Sequence, residues 1–318
     1  MFFSCFSTNF TRESFKYIFR NTPDNILMDK KIANFAKFNN LKKIVVLNTR
    51  DAYSQSLTEA FIERALEYGL KIIYSNKFNP NEQNFNRILT DISPQTNKDI
   101  NYDAIFIAGD DKDVPTFVKK ARKYGIFAPI LTGDWLDSQK ILNAGKEMNG
   151  VIVSTIYNPA IKSKKMQQFI KEFKQKYNRI PDTWAVQGYD AIMLLAKAIE
   201  DTNSLDTKQI ANKLKYMRNF KSIFGEYSLN TKGDVEDRDI FFKIVENGRF
   251  RYLSLKGKEY KITNSSKERV MISLYNWGDK LISDKLKDYG IIPEIITHQY
   301  LLKKGMFSSQ KGVKMPKS

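Results

Sequence analysis

The sequence predicts an α/β chain, a doubly wound sheet of parallel strands flanked by helices. Three observations predict it. Tyr102–Asp110 and Pro129–Trp135 each hold a short apolar run closed by a Gly–Asp pair. Between them lies Val114–Gly125, a basic helical stretch in which Pro115 suits a first turn and Gly125 suits the residue past the last one. The same alternation of apolar run and helical pattern recurs upstream and downstream, as in βαβ units whose strands are buried on both faces. Open α/β sheets bind ligands beyond the carboxyl ends of their strands, which makes Asp110 and Asp134 candidate cleft residues.

Taken in order, residues 1–25 read as irregular, with Tyr17–Arg20 as a short strand between turn residues. A helix is expected over Met28–Phe38, a strand over Lys42–Asn48 and a loop over Thr49–Gln55. An amphipathic helix, Ser56–Tyr68, stops at Gly69, and Leu70–Tyr74 follows as a short strand. Pro80–Ser93 holds a helix with Phe85, Ile88, Leu89 and Ile92 on one face. After the two Gly–Asp strands, Gly150–Ser154 completes five βα-like steps. Lys164–Tyr177, Thr183–Asp201 and Thr207–Met217 are helical, and the aromatic stripe of the first (Phe169, Phe173, Tyr177) reads as core packing. Gly225–Leu229 alternates like a strand, and Ile240–Val245 and Arg249–Leu255 form a hairpin about Glu246–Gly248. Residues 257–268 read as a linker and 302–318 as a disordered basic tail.

With 318 residues, 42% hydrophobic and 13% aromatic, the chain can bury a core and has room for two domains. Its formal charge of +17 admits two readings: a solvated lysine-rich surface, or attraction to nucleic acid or anionic lipid. Lysine is scattered over nearly every helix with no single basic run and no nucleic-acid motif, which favours the first; no nucleic-acid partner is expected. Cys5 and His298 are single, so no intrachain disulfide, Cys/His zinc site or Cys–His pair is available, and no cofactor or metal is expected. No apolar run is long enough to span a bilayer. The N-terminus lacks the basic and apolar regions of a signal peptide.

Four stretches in this order resemble a known family. They are Phe19–Asp24 as a crossover, Lys43–Leu47 followed by Asp51–Gln55, the paired strands from Tyr102 to Asp134, and Gly188–Ala191 with the Gly225–Asp234 hairpin. Together they are similar to the substrate-binding proteins of ABC transporters, in the type I, branched-chain amino-acid group. The resemblance implies a type I periplasmic-binding-protein fold: two Rossmann-like lobes with parallel sheets, crossing hinge strands and closure on an amino acid or similar small ligand. It implies a periplasmic location and an ABC permease as partner. It places 1–25 and 155–236 in a first lobe, 26–154 and 237–256 in a second, and leaves 257–318 outside both. Because the family's opening segment has no counterpart ahead of the crossover, the first lobe is expected to be incomplete and this chain alone to bind ligand poorly.

Carried over residue by residue, the resemblance implies that Thr8 holds the ligand carboxylate, that Tyr53 covers the ligand and that Asp134 pairs with its ammonium. Asp110 stands where the family often has an aromatic. It is either a ligand carboxylate, suited to a basic or polyamine-like solute, or a cap of the helix near Pro115. Trp135 could stack on the ligand or pack at the rim. Val270–Gly278 and the helix after it faintly resemble the opening of polyamine-type binding proteins; a chance strand–helix is the other reading.

The reading is therefore a non-catalytic binding component of an importer. The alternatives are a sensory module on the same fold, for which no signalling domain is visible, and a Mg²⁺ enzyme using Asp110, Asp111, Asp113 and Asp134.

Overall fold

Five parallel strands order the larger part of the molecule. The computed structural model describes residues 16–262, apart from 161, 162, 237, 257 and 258. In chain order these strands and their helices are α1 (Asn25–Phe38), β1 (Lys43–Thr49), α2 (Ala52–Glu67), β2 (Lys71–Phe78), α3 (Asn86–Ile92), β3 (Ala104–Ala108), α4 (Asp113–Lys123), β4 (Ile130–Thr132), α5 (Gln139–Asn143) and β5 (Val151–Thr155). They pair parallel in the order β2-β1-β3-β4-β5. Two later strands, β9 (Phe241–Glu246) and β10 (Arg249–Tyr252), extend the sheet antiparallel beyond β5.

The unbroken apolar runs follow from burial of both faces. Alternate side chains of a strand point to opposite sides. Ile44, Val46, Ala104, Phe106 and Ala108 join the core under α1 and α2, where Phe61 stacks on Phe106 at 4.0 Å between ring centroids. Val45, Leu47, Ile105 and Ile107 join the core under α3 and α4, with Phe85 and Phe117 packed edge to face at 5.5 Å.

The second body carries α6 (Lys164–Tyr177), α7 (Thr183–Thr202), α8 (Thr207–Lys215) and an antiparallel sheet of β6 (Phe220–Ser222), β7 (Gly225–Leu229) and β8 (Val235–Glu236). Its core joins Leu194, Ala198, Ile210, Leu214, Tyr227 and Leu229 to Phe19 of the crossover. The 19–24 crossover is held there by polar contacts: the Arg20 N–H donates to the Gly233 carbonyl at 2.7 Å, and the Arg20 guanidinium lies 3.3 Å from Asp234.

Several expected boundaries move, each for a local reason. Tyr17–Arg20 is not a strand; it holds one bridge residue, Ile18, because its hydrogen bonding goes to the 233–234 turn. The stretch read as a loop, Thr49–Gln55, ends β1 and starts α2, because the Asp51 carboxylate accepts the Ser54 N–H at 2.8 Å as a helix N-cap. α1 likewise starts earlier than expected, with Asp24 accepting the Leu27 N–H at 2.7 Å. Only Asn86–Ile92 of the Pro80–Ser93 stretch is helical. The 257–268 linker reading fails in part. Glu259–Lys261 forms a strand, β12, paired with β11 (Ser254–Lys256), and Tyr260 is buried edge to face against Phe241. Thr8, Cys5, the 270–290 stretch and the basic tail lie outside the described residues.

Candidate functional site

The carboxyl end of β4 runs into a single 3₁₀ turn, Asp134–Leu136. The turn buries the Asp134 side chain and leaves Trp135 at the surface. Tyr53, in the first turn of α2, meets the Trp135 ring edge to face at 5.6 Å. From the second body, Trp184 at the start of α7 approaches Trp135 at 6.4 Å. Three aromatic rings therefore bracket the mouth of the sheet, and one of them comes from the opposite body.

Behind the rings lie acids. Burial pushes the Asp134 carboxyl up to about 7; the neighbouring Asp137 charge adds to the rise, and a backbone N–H opposes it. Asp29, on α1, is 1% exposed, and neither of its carboxylate oxygens has a hydrogen-bond partner. Burial, then the charges of Asp134 and Asp24, hold it well above the usual carboxylate range. The Tyr53 hydroxyl is raised by burial and by the charges of Asp134 and Asp29. Deeper in, the Lys243 ammonium is bonded to Asp137 and lies 3.8 Å from the centroid of the Phe250 ring, so that cation is committed. Among the described residues no ion pair reaches Asp29 or Asp134.

Asp110 is exposed, and one of its oxygens accepts the N–H groups of Lys112 and Asp113, both at 2.8 Å. The capping alternative for this residue thus has its hydrogen bonds in the structure. Asp110 sits with Asp51 and Asp113 near the ends of β1 and β3. Asp111 bonds the exposed Lys140. Among the described residues, no three His, Cys, Asp or Glu side chains gather to hold a metal ion.

Sequence reading named Thr8, Tyr53, Asp110 and Asp134 as site residues, left Trp135 between ligand stacking and rim packing, and did not single out Asp29, Trp184 or the Asp137–Lys243 pair. Asp29 stands beside Lys30 and Lys31, a pattern that looks like any solvated helix face. Only its burial on α1 distinguishes it. The Asp190 of Gly188–Ala191 is structural. Wholly buried, it accepts from the Tyr227 hydroxyl at 2.8 Å, from Ser222 and from the Asn21 side chain at 3.3 Å, with Arg238 at 3.8 Å.

A parallel sheet whose carboxyl edge meets a second body through the Trp135–Trp184 contact is the arrangement of a two-lobed α/β fold. The chain belongs to the periplasmic binding protein family, whose profile matches residues 2–249. Its fold is the type I, branched-chain amino-acid form. It is 28% identical to the leucine binding protein LivK of Thermotoga maritima, with a TM-score of 0.69 over 75% of this chain and 67% of that one. It is 26% identical to an ABC transporter substrate-binding protein of Desulfitobacterium hafniense, again at 0.69, over 78% and 71%. A Leu/Ile/Val-binding protein homolog of Brucella abortus is 22% identical over 192 residues, 60% of this chain and 50% of that protein. The chain spans about half the length of the curated relatives it matches first. No described helix is long and apolar enough to cross a membrane.

Proposed function

We propose that this chain is the ligand-binding component of an ABC importer for amino acids or related small polar solutes, working in the periplasm with a permease and without catalysis. The observation that carries it is Asp134: a buried carboxyl with no described cation partner, at the carboxyl edge of the sheet, behind aromatic rings from both bodies. A ligand ammonium entering there gains a fixed counter-charge in a dry site. Tyr53 and Trp135 cover it, and Trp184 closes over it when the two lobes (1–25 with 155–236, and 26–154 with 237–256) approach. Thr8 holds the ligand carboxylate, and Asp110 lies farther along the same edge. The names of relatives in Thermotoga, Desulfitobacterium and Brucella support an amino-acid or similar cargo.

Thermal denaturation against a panel of amino acids and amines tests this. A ligand at about 100 times its dissociation constant adds roughly 2.7 kcal/mol to stability. The expected result is a shift with at least one compound that Asp134→Ala abolishes. A panel without any shift even at high ligand concentration, where weak binding by an incomplete first lobe still registers, refutes the reading, and an unchanged shift in Asp134→Ala removes Asp134 from the site.

A further inference from the structure

Helix α7 is apolar on more than one side: Leu194 and Ala198 are buried, while Tyr189, Ile192 and Met193 are exposed. A helix with apolar residues all round needs cover on every side. On one side of α7 that cover is a groove of about 820 Å³, running between α6, α7 and the 216–223 stretch that leads from α8 through β6. Its floor is apolar and buried, with Phe169, Phe220 and Ile223. Tyr189, Met193 and Tyr216 stand at its walls, 38%, 44% and 67% exposed. The Phe169 and Tyr189 rings meet at 4.6 Å between centroids, so α6 and α7 share one aromatic surface. The charged rim is engaged within the chain: the Lys165 ammonium donates to the Lys221 carbonyl at 2.8 Å, and Lys197 and Lys213 both pair with Asp201. What the groove presents is apolar surface, which an apolar occupant frees of water.

We propose that the N-terminal segment of this chain, residues 1–6, docks in this groove with Phe2, Phe3 and Phe6 against its floor. The segment has the matching chemistry: Ser4 is its one polar residue, and no side chain in it is charged. The spacing of Phe2 and Phe6 puts them on one side of a helix and of a strand alike. The family profile begins at residue 2, so the segment belongs to the domain. It also has the matching position. The described chain starts at Lys16, and Phe19 lies in the same core cluster as Phe220 and Met217, which line the groove. Residues 7–15, fully extended, reach about 30 Å, the length of α7. Other occupants fit less well. Residues 263–318 leave from Ile262, whose N–H donates to Asn39 at the end of α1 in the larger body, and they bring Lys303, Lys304, Lys311, Lys314 and Lys317 to a rim already rich in lysine. A second copy sets one charge of +17 against another. The groove is thus an internal interface of the second body, and this holds whether or not the cleft reading does.

Cys5 is the single cysteine, so its thiol reports on the segment directly. In the full chain, Tyr216→Cys places a second thiol on the groove wall, and Leu66→Cys, at an exposed position of α2, is the control. A short bismaleimide is expected to join Cys5 to the thiol of Tyr216→Cys, within one chain, at least about tenfold faster than to that of Leu66→Cys, because docking raises the local concentration of the segment. Met193→Glu puts a charge in the groove. Added to the Tyr216→Cys chain it is expected to remove most of that advantage, and in the otherwise native chain to speed maleimide labelling of Cys5 at least about fivefold. Equal cross-linking at Tyr216→Cys and Leu66→Cys overturns the docking. A product of twice the chain mass, in place of the one within a single chain, gives the groove to a second copy and overturns it too. An advantage that Met193→Glu leaves unchanged places the segment elsewhere and overturns the groove as its site. Should Met193→Glu not fold, the comparison of Tyr216→Cys with Leu66→Cys still decides.

Discussion

The Asp190 carboxylate accepts hydrogen bonds from Asn21, Ser222 and Tyr227 and has the Arg238 guanidinium 3.8 Å away as its counter-charge. Arg238 has no other described acid, lies over the Phe224 ring at 3.9 Å and is buried. Removing one partner of a buried pair leaves the other charge uncompensated. That costs about 3–5 kcal/mol. Asp190→Ala is therefore expected to lower the urea midpoint strongly, and Asp190→Asn, which keeps part of the hydrogen bonding, by less. Equal midpoints for wild type and Asp190→Ala would show that the network contributes nothing. The contrast with Asp134 and Asp29 explains what residue-level reading can and cannot see. All three are aspartates in mixed helical or strand-end contexts. Their sequence neighbourhoods do not reveal that Asp190 is well supplied with donors and Asp29 has none, because the donors arrive from elements 30 or more residues away, as Ser222 and Tyr227 do for Asp190.

Elements were more legible than residues. The parallel strands could be read because burial on both faces turns a period-2 pattern into a continuous apolar run, as in β3, where every residue is buried. The hairpin could be read from Asn247–Gly248, which take φ of 52° and 70° in a tight turn joining β9 to β10. The start of α2 was misread because Asp51, Tyr53 and Ser54 look like loop chemistry until the cap bond is seen. Tyr17–Arg20, at the start of the crossover, was misread as a strand; the Arg20 N–H goes to the 230–234 turn instead. At that turn Gly233 has φ +86°, and a Cβ there would stand 2.6 Å from the Ile18 carbonyl oxygen. Gly233→Ala must therefore both strain the backbone and push the crossover off the turn. The expected loss is about 1–3 kcal/mol, read as a lower melting temperature. The exposed Gly188, whose added Cβ meets nothing and which lies inside α7, is the control: Gly188→Ala is expected to be neutral or stabilising. Equal melting temperatures for the two variants would remove the crossover–turn contact from the account of stability.

At the scale of the whole molecule, the buried acids set how stability depends on pH, and the composition makes their contribution easy to isolate. The chain has a single histidine beside 52 lysines and arginines, so histidine adds little to the titration between pH 5 and 7. Asp24 and Asp134 act on Asp29, Asp137 acts on Asp134, and Asp137 in turn is paired with Lys243. A carboxyl whose pKa is raised on folding binds its proton more tightly folded than unfolded. Its contribution is complete below the unfolded value, near 4, and is lost as pH climbs through the folded value, about 7 for Asp134. Asp29 is raised in the same direction by burial and by Asp134, so the two reinforce each other. The unliganded protein is thus expected to lose on the order of 2–4 kcal/mol between pH 4.5 and 7. A melting temperature that falls over this range, with Asp134→Asn and Asp29→Asn each flattening the curve, is the expected outcome; one that rises would mean that both carboxyls find donors in solution. The same arithmetic binds stability to function. A cationic ligand stabilises the ionised acids, so its effect on melting should be larger at pH 7 than at pH 5, where the acids are protonated and offer a cation little. The pH at which the empty protein is weakest is then the pH at which ligand holds it together best.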